Sequence, residues 1–329
     1  MEPVEETELC FPQLPNSSCR IDQRSPSVSL ITYTLLSSIS LLTVTLNLLV
    51  IISISHFKQL HTPTNFILLS LAVSDFLVGI IMLFQIVLID GCWFLGDLMC
   101  SLYYVVDCII TSASIGNMVL ISIDRYAAIC YPLHYPSSVT QTRVQICVCL
   151  CWTCSVLSNT LLMKDNLEHP GRYNSCYGEC VVVIDYVAGV VDLFLSFILP
   201  VTVIVVLYLR VFMEAVSQAR AVRSQAVTVS PQGSVSITPK KSELKAARTL
   251  GVVIIIFLIC LCPYFSVTLS GQDTLLNTSS SAFVICLFYF NSCLNPVVYA
   301  FFYPWFRKSI KLIVTLKILQ QDSCEAKVT

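Results

Sequence analysis

The sequence predicts an all-α membrane protein that crosses the bilayer as a bundle of seven helices. Its 329 residues are 56% hydrophobic and 12% charged, and the mean hydropathy is +0.78. About a quarter of the residues in a typical soluble protein are charged. Seven apolar stretches are each long enough to span a bilayer, and lipid-exposed spans satisfy their backbone hydrogen bonds internally only as helices or closed barrels.

The spans are separated by short polar segments, with one long loop. That loop, about Glu214–Glu243, is rich in Ser, Gln and Val, and its composition predicts a mobile, solvated linker. The chain divides into a tail at 1–29, the bundle at 30–303 and a second tail at 304–329. In chain order, the predicted spans are Leu30–Ile54, Phe66–Ile89, Leu102–Ile123, Val144–Met163, Tyr186–Met213, Leu250–Ser270 and Ser280–Phe302. Bends are expected at Pro200, Pro263 and Pro296.

The basic residues predict the orientation in the membrane. Of the 19 Lys and Arg residues, only Arg20, Arg24, Lys164 and Arg172 flank one side of the spans. Cytoplasmic loops carry the excess of Lys and Arg, so the N-terminus is expected outside the cell. The acidic N-terminal segment has no apolar core, so the first helix is expected to act as the signal anchor. Sequons at Asn16 and Asn277 both fall outside, and Asn16 is the expected glycosylation site.

Six of the 17 cysteines fall on the outer side of the membrane. An even number in an oxidising compartment predicts three disulfides, but six cysteines allow 15 pairings. The six are Cys10, Cys19, Cys92, Cys100, Cys176 and Cys180.

The third span joins two groups of functional candidates. Asp107 and Arg125 are 18 residues apart, which is about 27 Å along an α-helix, close to the hydrocarbon thickness of a bilayer. Asp124 can hold Arg125 in an ion pair, with Glu243 as a second partner. An Arg held by breakable pairs is typical of a two-state element, although an ordinary solvated pair would look the same in sequence. A candidate ligand-binding acid near one end of this helix and a breakable ion pair near the other predict that the helix transmits a signal across the membrane.

Three acids lie inside spans, where an ionisable group is costly and therefore indicates function. Asp107 and Asp192 are expected in the outer half, where two unpaired carboxylates would await a cationic ligand. The alternative is protonation of one acid, or a hydrogen bond to a hydroxyl such as Thr111 or Ser196. Aromatic faces stabilise ammonium ions, and Tyr264, Phe265 and Tyr289 are the candidates for such contacts.

Asp75 is expected deeper in the bundle. Ser114, Asn291, Ser292 and Asn295 offer oxygens that could surround it. This set suits a sodium ion acting as an allosteric modulator, and a solvated polar network without an ion is the alternative.

The ordered motifs resemble those of class A G-protein-coupled receptors. They include Asn47, LAVSD ending at Asp75, DRY at 124–126, Trp152, and NPVVY at 295–299. The segment Asn291–Phe306, NSCLNPVVYAFFYPWF, resembles the signature of trace amine-associated receptors.

This resemblance implies a fold, a ligand and partners. It implies the class A bundle with a short amphipathic eighth helix, and a G-protein switch formed by Asp124, Arg125, Tyr126, Tyr208 and Tyr299. Asp107 would bind the amine, and Asp192 matches the second acid of diamine-preferring members. A stimulatory or olfactory G protein raising cAMP is implied, in the plasma membrane of olfactory cilia. Cys100 would pair with Cys180, Cys10 with Cys176, and Cys19 with Cys92.

The sequence departs from the family pattern at the pocket floor. Leu261 stands where the family usually has Trp, Cys286 occupies a place often held by Trp, and Leu46 precedes Asn47 in place of Gly. The extra room at Leu261 would admit a longer ligand.

The leading hypothesis is therefore an olfactory receptor for aliphatic diamines. A monoamine receptor using Asp107 alone is the first alternative. A cation-coupled transporter is disfavoured because seven unrelated spans do not form inverted repeats. An enzyme is not expected, because the four histidines, His56, His61, His134 and His169, lie in loops without paired-ligand spacing.

Overall fold

The computed structural model describes residues 8–21, 26–89, 91–228, 251–252, 255–266, 279–320 and 323–328. Glu243 and Asn277, named above as functional candidates, lie outside the described residues. Tyr299 lies in a described helix, but its side chain is outside the description.

The described residues form long helices at the predicted spans. Five of these helices are long and apolar enough to cross a membrane, and shorter apolar helices lie in the sixth and seventh spans. The helices are α1 (Pro26–His56), α2 (Pro63–Ile89), α3 (Asp97–Cys130), α4 (Gln141–Leu162), α5 (Tyr186–Leu193, Phe194–Ile198 and Leu199–Thr228), α6 (Ile255–Ser266), α7 (Ser279–Phe302) and α8 (Pro304–Val314). Short helices lie at Lys58–Leu60, Tyr135–Ser138, Lys164–Glu168, Lys317–Leu319 and Ser323–Glu325.

Local sequence explains where several helices begin. Pro63 and Pro304 occupy the first positions of α2 and α8, where the missing N–H of proline has no helical partner to lose. Thr140 caps α4 by accepting a hydrogen bond from the backbone of Arg143, and Asp185 caps α5 by accepting from Val187 and Ala188. α8 carries its charges on one face, as the eighth-helix prediction requires.

α3 lies at the centre of the bundle and packs against α2, α4 and α5, while α1 packs against α2 and α7. The interior holds polar side chains, among them Asn47, Asp75 and Asn117, which are fully buried. Large apolar side chains such as Leu41 and Phe194 are exposed on the outside of the bundle. This inverted distribution suits a protein surrounded by lipid.

α3 and α4 approach closely at Gly116. A Cβ atom added there would overlap the Sγ atom of Cys151. Glycine at this position therefore sets the distance between the two helices.

α5 contains a widened turn at Phe194–Ile198, where the backbone N–H of Leu199 donates to the carbonyl of Phe194 in a π-type bond. Pro200 follows directly, has no N–H to donate, and its ring disfavours a regular helical turn before it. The helix continues to Thr228. Residues 214–228 of the predicted linker are therefore helical.

Three disulfides tie the outer segments together, and two of the pairings implied by the family resemblance are wrong. The structure joins Cys10 to Cys92 and Cys19 to Cys176, whereas Cys100 pairs with Cys180 as expected.

Backbone pairing explains the outcome. Tyr177 donates to the carbonyl of Ser17 and accepts from the N–H of Cys19, which sets Cys19 beside Cys176. Cys10 lies against the loop between α2 and α3, with its Sγ atom 3.7 Å from the carbonyl oxygen of Gly91.

Candidate ligand and G-protein sites

Asp107 faces the other helices of the bundle in its outer half. The hydroxyl of Tyr289 on α7 donates to Asp107 Oδ1 over 3.3 Å. Tyr103, Tyr104 and Tyr264 also lie close enough to the carboxylate to interact with it electrostatically. None of the described Lys, Arg or His side chains forms an ion pair with Asp107. α3 thus places Asp107 among aromatic rings.

The aromatic candidates form one connected wall on α6 and α7. The ring of Tyr264 lies 4.6 Å from that of Phe288, and the ring of Phe288 lies 5.4 Å from that of Tyr289. Phe265 stacks on Phe197 of α5 at 4.0 Å, so it links α6 to α5. Thr111 is half-buried, one turn inward from Asp107 on α3.

Tyr103 is a site residue that the sequence reasoning did not favour. Its side chain is buried, and its hydroxyl donates to Gln85 Oε1 over 2.7 Å. Tyr103 precedes Asp107 by four residues, so helical spacing alone would have placed both on one face.

Asp192 occupies a different local environment. Ser196, one turn later on α5, donates to Asp192 Oδ1 over 2.7 Å, which is the hydroxyl alternative considered for this acid. Asp192 is also among the residues that line a cavity of about 530 Å³ between α3, α4 and α5. Asp107 does not contribute to the lining of that cavity. Cys108 and Tyr264 nevertheless lie within electrostatic range of both carboxylates, so the two acids flank the same part of the bundle.

Asp75 is fully buried at the centre of a polar cluster. Ser114 donates to one carboxylate oxygen over 3.1 Å, and Asn295 donates to the other over 2.8 Å. The side-chain oxygen of Asn291 is buried and finds no hydrogen-bond partner among the described residues. Asn47 braces the cluster by donating to the backbone carbonyl of Ser292 over 3.0 Å.

The two unusual residues of the pocket floor are both packed into the interior. Leu261 is 3% exposed and belongs to the same hydrophobic cluster as Phe257 and Ile204. Cys286 is 5% exposed and belongs to a second hydrophobic cluster, which also contains Tyr289 and Tyr103. The bundle therefore accommodates the smaller side chains without losing its core.

At the inner end, Arg125 is held by a small network. It forms an ion pair with the neighbouring Asp124, donates to Asp124 Oδ2 through Nε over 3.0 Å, and donates to Thr64 Oγ1 over 2.9 Å. Tyr135 donates to the other oxygen of Asp124 over 2.7 Å. Thr64 and Tyr135 are functional candidates that the sequence reasoning missed, because they belong to α2 and to the loop after α3.

The remaining residues of the predicted switch lie around this network. The Tyr208 hydroxyl approaches Gly251 so closely that a Cβ atom at that glycine would overlap it. Tyr208 is therefore in contact with the chain leading into α6. The hydroxyl of Tyr126 lies 3.4 Å from that of Tyr131.

In the loop between α4 and α5, Asp165 accepts hydrogen bonds from two neighbouring side chains. Tyr173 donates to Asp165 Oδ2 over 2.6 Å, and Arg172 donates to Asp165 Oδ1 over 3.2 Å. The Tyr173 hydroxyl, assisted by the nearby Arg172 charge, lowers the pKa of Asp165. On the tail, Asn16 is exposed, as a glycosylation site requires.

Comparisons with known proteins place this architecture in a family. The sequence profile of the 7 transmembrane receptor (rhodopsin family) matches residues 46–299. Trace amine-associated receptor 13c of Danio rerio is 36% identical over 97% of this chain and 95% of its own length. Trace amine-associated receptor 1 of Mus musculus is 37% identical over 97% of this chain and 99% of its own length. Trace amine-associated receptor 9 of Rattus norvegicus is 39% identical over 96% of each.

The profile covers most of the helical bundle, and these relatives match nearly the whole chain. The chain therefore belongs to the rhodopsin family of seven-transmembrane receptors, within the trace amine-associated group, as a multi-pass plasma-membrane receptor that binds a small molecule, couples to a G protein and is not an enzyme.

Proposed function

We propose that this receptor detects protonated amines, with Asp107 as the counter-ion of the ammonium group. The observation that carries the proposal is the Asp107 carboxylate among four tyrosines, with only the Tyr289 hydroxyl as its hydrogen-bond donor among the described residues. A buried carboxylate gains most from a ligand that supplies a positive charge. The surrounding rings add cation–π attraction of about 0.5–2 kcal/mol each.

Asp192 supports the narrower proposal of a diamine ligand. Tyr264 lies within electrostatic range of both Asp107 and Asp192, so a flexible chain with two ammonium groups would pass along this ring. The Ser196 hydroxyl holds Asp192 in place for the second ammonium. The same hydrogen bond also favours the second candidate, a monoamine receptor in which Asp192 is already satisfied within its own helix.

Signalling is proposed to run through a stimulatory G protein of the olfactory type to cAMP, in olfactory cilia. The support is the Arg125 network at the inner end of the helix that carries Asp107. A ligand shifts this element only if it binds the active arrangement more tightly than the inactive one.

A sodium ion at Asp75 is proposed as the allosteric modulator. The residues fit the ion, because Asp75 supplies a buried charge and the unpartnered Asn291 oxygen supplies a free acceptor. Ser114 and Asn295 would also belong to the site, and the ion would supply the positive charge that the cluster lacks.

The test of the ligand proposal is a cAMP assay with linear diamines and monoamines of matched carbon count. Asp107→Asn should weaken both classes by about 2–5 kcal/mol, a roughly 30- to 5,000-fold loss of potency. Asp192→Asn should weaken diamines only.

Asp97→Asn provides the matched control, since Asp97 lies at the outer end of the same helix and contacts Asn174 in a loop. Its potency should equal that of the wild type. Unchanged potency in Asp107→Asn would refute amine recognition, and equal loss of both ligand classes in Asp192→Asn would refute the diamine assignment.

A further inference from the structure

The cavity between α3, α4 and α5 has a mouth toward the surrounding lipid. Leu161 on α4 and Leu195 on α5 line it, and they are 71% and 53% exposed on the outside of the bundle. In a membrane, side chains exposed at this depth contact acyl chains. A molecule dissolved in the bilayer would therefore reach the cavity sideways, between α4 and α5.

The inner wall of the same cavity is polar. Ser112, Ser155, Ser158 and Asp192 are among the residues that line it. Ser155 and Ser158 donate their protons to backbone carbonyls of their own helix over 2.9 and 2.8 Å. Their oxygen lone pairs therefore remain as acceptors, beside the Asp192 carboxylate.

Ser112 and Asp192 have each accepted a donor already. Ser112 accepts from Asn159 Nδ2 over 3.1 Å, and Asp192 accepts from Ser196 through one of its two oxygens. A carboxylate has room for about four hydrogen bonds. The cavity thus presents a negative charge and several acceptors to a guest, which favours a cationic head with N–H donors.

We propose that this cavity is a second binding site, for an amphiphilic primary amine drawn from the bilayer. Its ammonium group pairs with Asp192 and the serine oxygens, and its alkyl chain lies along Leu161 and Leu195 toward the lipid. This site does not include Asp107, which does not line the cavity. It shares Asp192 with the proposed diamine, so the two occupants would compete for that carboxylate. Its occupant would hold α5 against α3 and α4, which makes it a regulator of the shift that signalling requires.

Cys154 provides a test that does not depend on signalling, with two other cysteines of α4 as controls. Cys154 lines the cavity, while Cys147 and Cys149 are exposed on α4 and do not line it. In membranes that contain the intact receptor, thiols are alkylated with a membrane-permeant maleimide and counted by peptide mass spectrometry. Dodecylamine at about ten times its half-protecting concentration should slow alkylation of Cys154 about tenfold.

The controls are built into the same experiment. Cys147 and Cys149 should react at unchanged rates, and dodecanol, which has the same chain without the charge, should not protect Cys154. Protection should disappear in Asp192→Asn and persist in Asp107→Asn, so it separates this site from the proposed amine pocket. Surface expression and alkylation of Cys147 verify that each variant is folded and inserted.

Equal slowing at all three cysteines would show a bulk membrane effect and overturn the proposal. Protection by dodecanol, or protection that survives in Asp192→Asn, would overturn it as well. A second variant, Ser158→Phe, fills the cavity without changing its charge and should abolish protection by dodecylamine. Full protection in that variant would place the amine elsewhere.

Discussion

The close approach of α3 and α4 at Gly116 leads to a quantitative prediction. Gly116→Ala places a methyl group against the Sγ atom of Cys151. Forcing an extra carbon into a packed interface costs about 1–3 kcal/mol. Alanine recovers roughly 0.5–1 kcal/mol through its better helix propensity. The difference between these ranges is a net destabilisation of about 0–2.5 kcal/mol. The overlap with the Sγ atom of Cys151 puts the expected value in the upper part of that range, at about 1–2 kcal/mol.

The assay is thermal unfolding of the detergent-solubilised receptor, followed by circular dichroism. A destabilisation of this size should lower the melting temperature by about 2–8 °C. The double variant Gly116→Ala with Cys151→Ala removes the sulfur and should be more stable than Gly116→Ala alone, because the two changes are coupled.

Gly189→Ala is the matched control within α5. A Cβ atom there would meet only the side chain of Ile184 at 3.7 Å, an ordinary contact. This variant should be neutral or slightly stabilised. The packing argument is refuted if Gly116→Ala melts like the wild type, or if the effects of Gly116→Ala and Cys151→Ala simply add.

Three further outcomes are expected. Peptide mapping of the non-reduced receptor should recover Cys10 linked to Cys92. Tyr135→Phe removes a hydrogen bond to Asp124 worth about 1.5–3 kcal/mol and should raise basal G-protein nucleotide exchange, because Arg125 is then held less firmly. Because the pKa of Asp165 is lowered, its hydrogen bonds stabilise the outer loop above about pH 4, the ordinary carboxyl value. They are lost as the pH falls through the lowered pKa, so amide exchange in this loop should accelerate there.

Each of these outcomes has a contrary result. Recovery of Cys10 linked to Cys176 would contradict the first. Basal G-protein nucleotide exchange in Tyr135→Phe equal to that in the control Tyr131→Phe would contradict the second prediction. The third would fail if Tyr173→Phe, which removes the main cause of the shift, left the pH dependence of loop exchange unchanged.

The polar interior of the bundle could be predicted from sequence, because a charged side chain in an apolar span is costly to expose to lipid and must face the other helices. A buried carboxylate requires polar partners. Ser114 on α3 and Asn295 on α7 are polar residues within apolar spans, and both donate to Asp75. Asp107 was predictable for the same reason, since α3 carries it among aromatic residues. In both cases local helix geometry and the cost of burying charge were sufficient.

Other features depend on tertiary geometry that spacing along the chain does not encode. The widened turn at Phe194–Ile198 shifts the helical register between Asp192 and Pro200. The partner of Cys10 depends on where the tail crosses the outer loops. The hydrogen bond from Tyr135 to Asp124 depends on the path of the chain after Pro132. None of these has a local sequence signal stronger than its alternatives.

The tail also has a mechanical consequence. Cys10 anchors it to the loop between α2 and α3, and Cys19 anchors it to the loop between α4 and α5. The N–H of Cys10 donates to the carbonyl of Cys19 over 3.0 Å, so the two anchors lie side by side and the tail fastens the two loops to each other. A movement of the loop before α5 would thus be transmitted to the loop after α2.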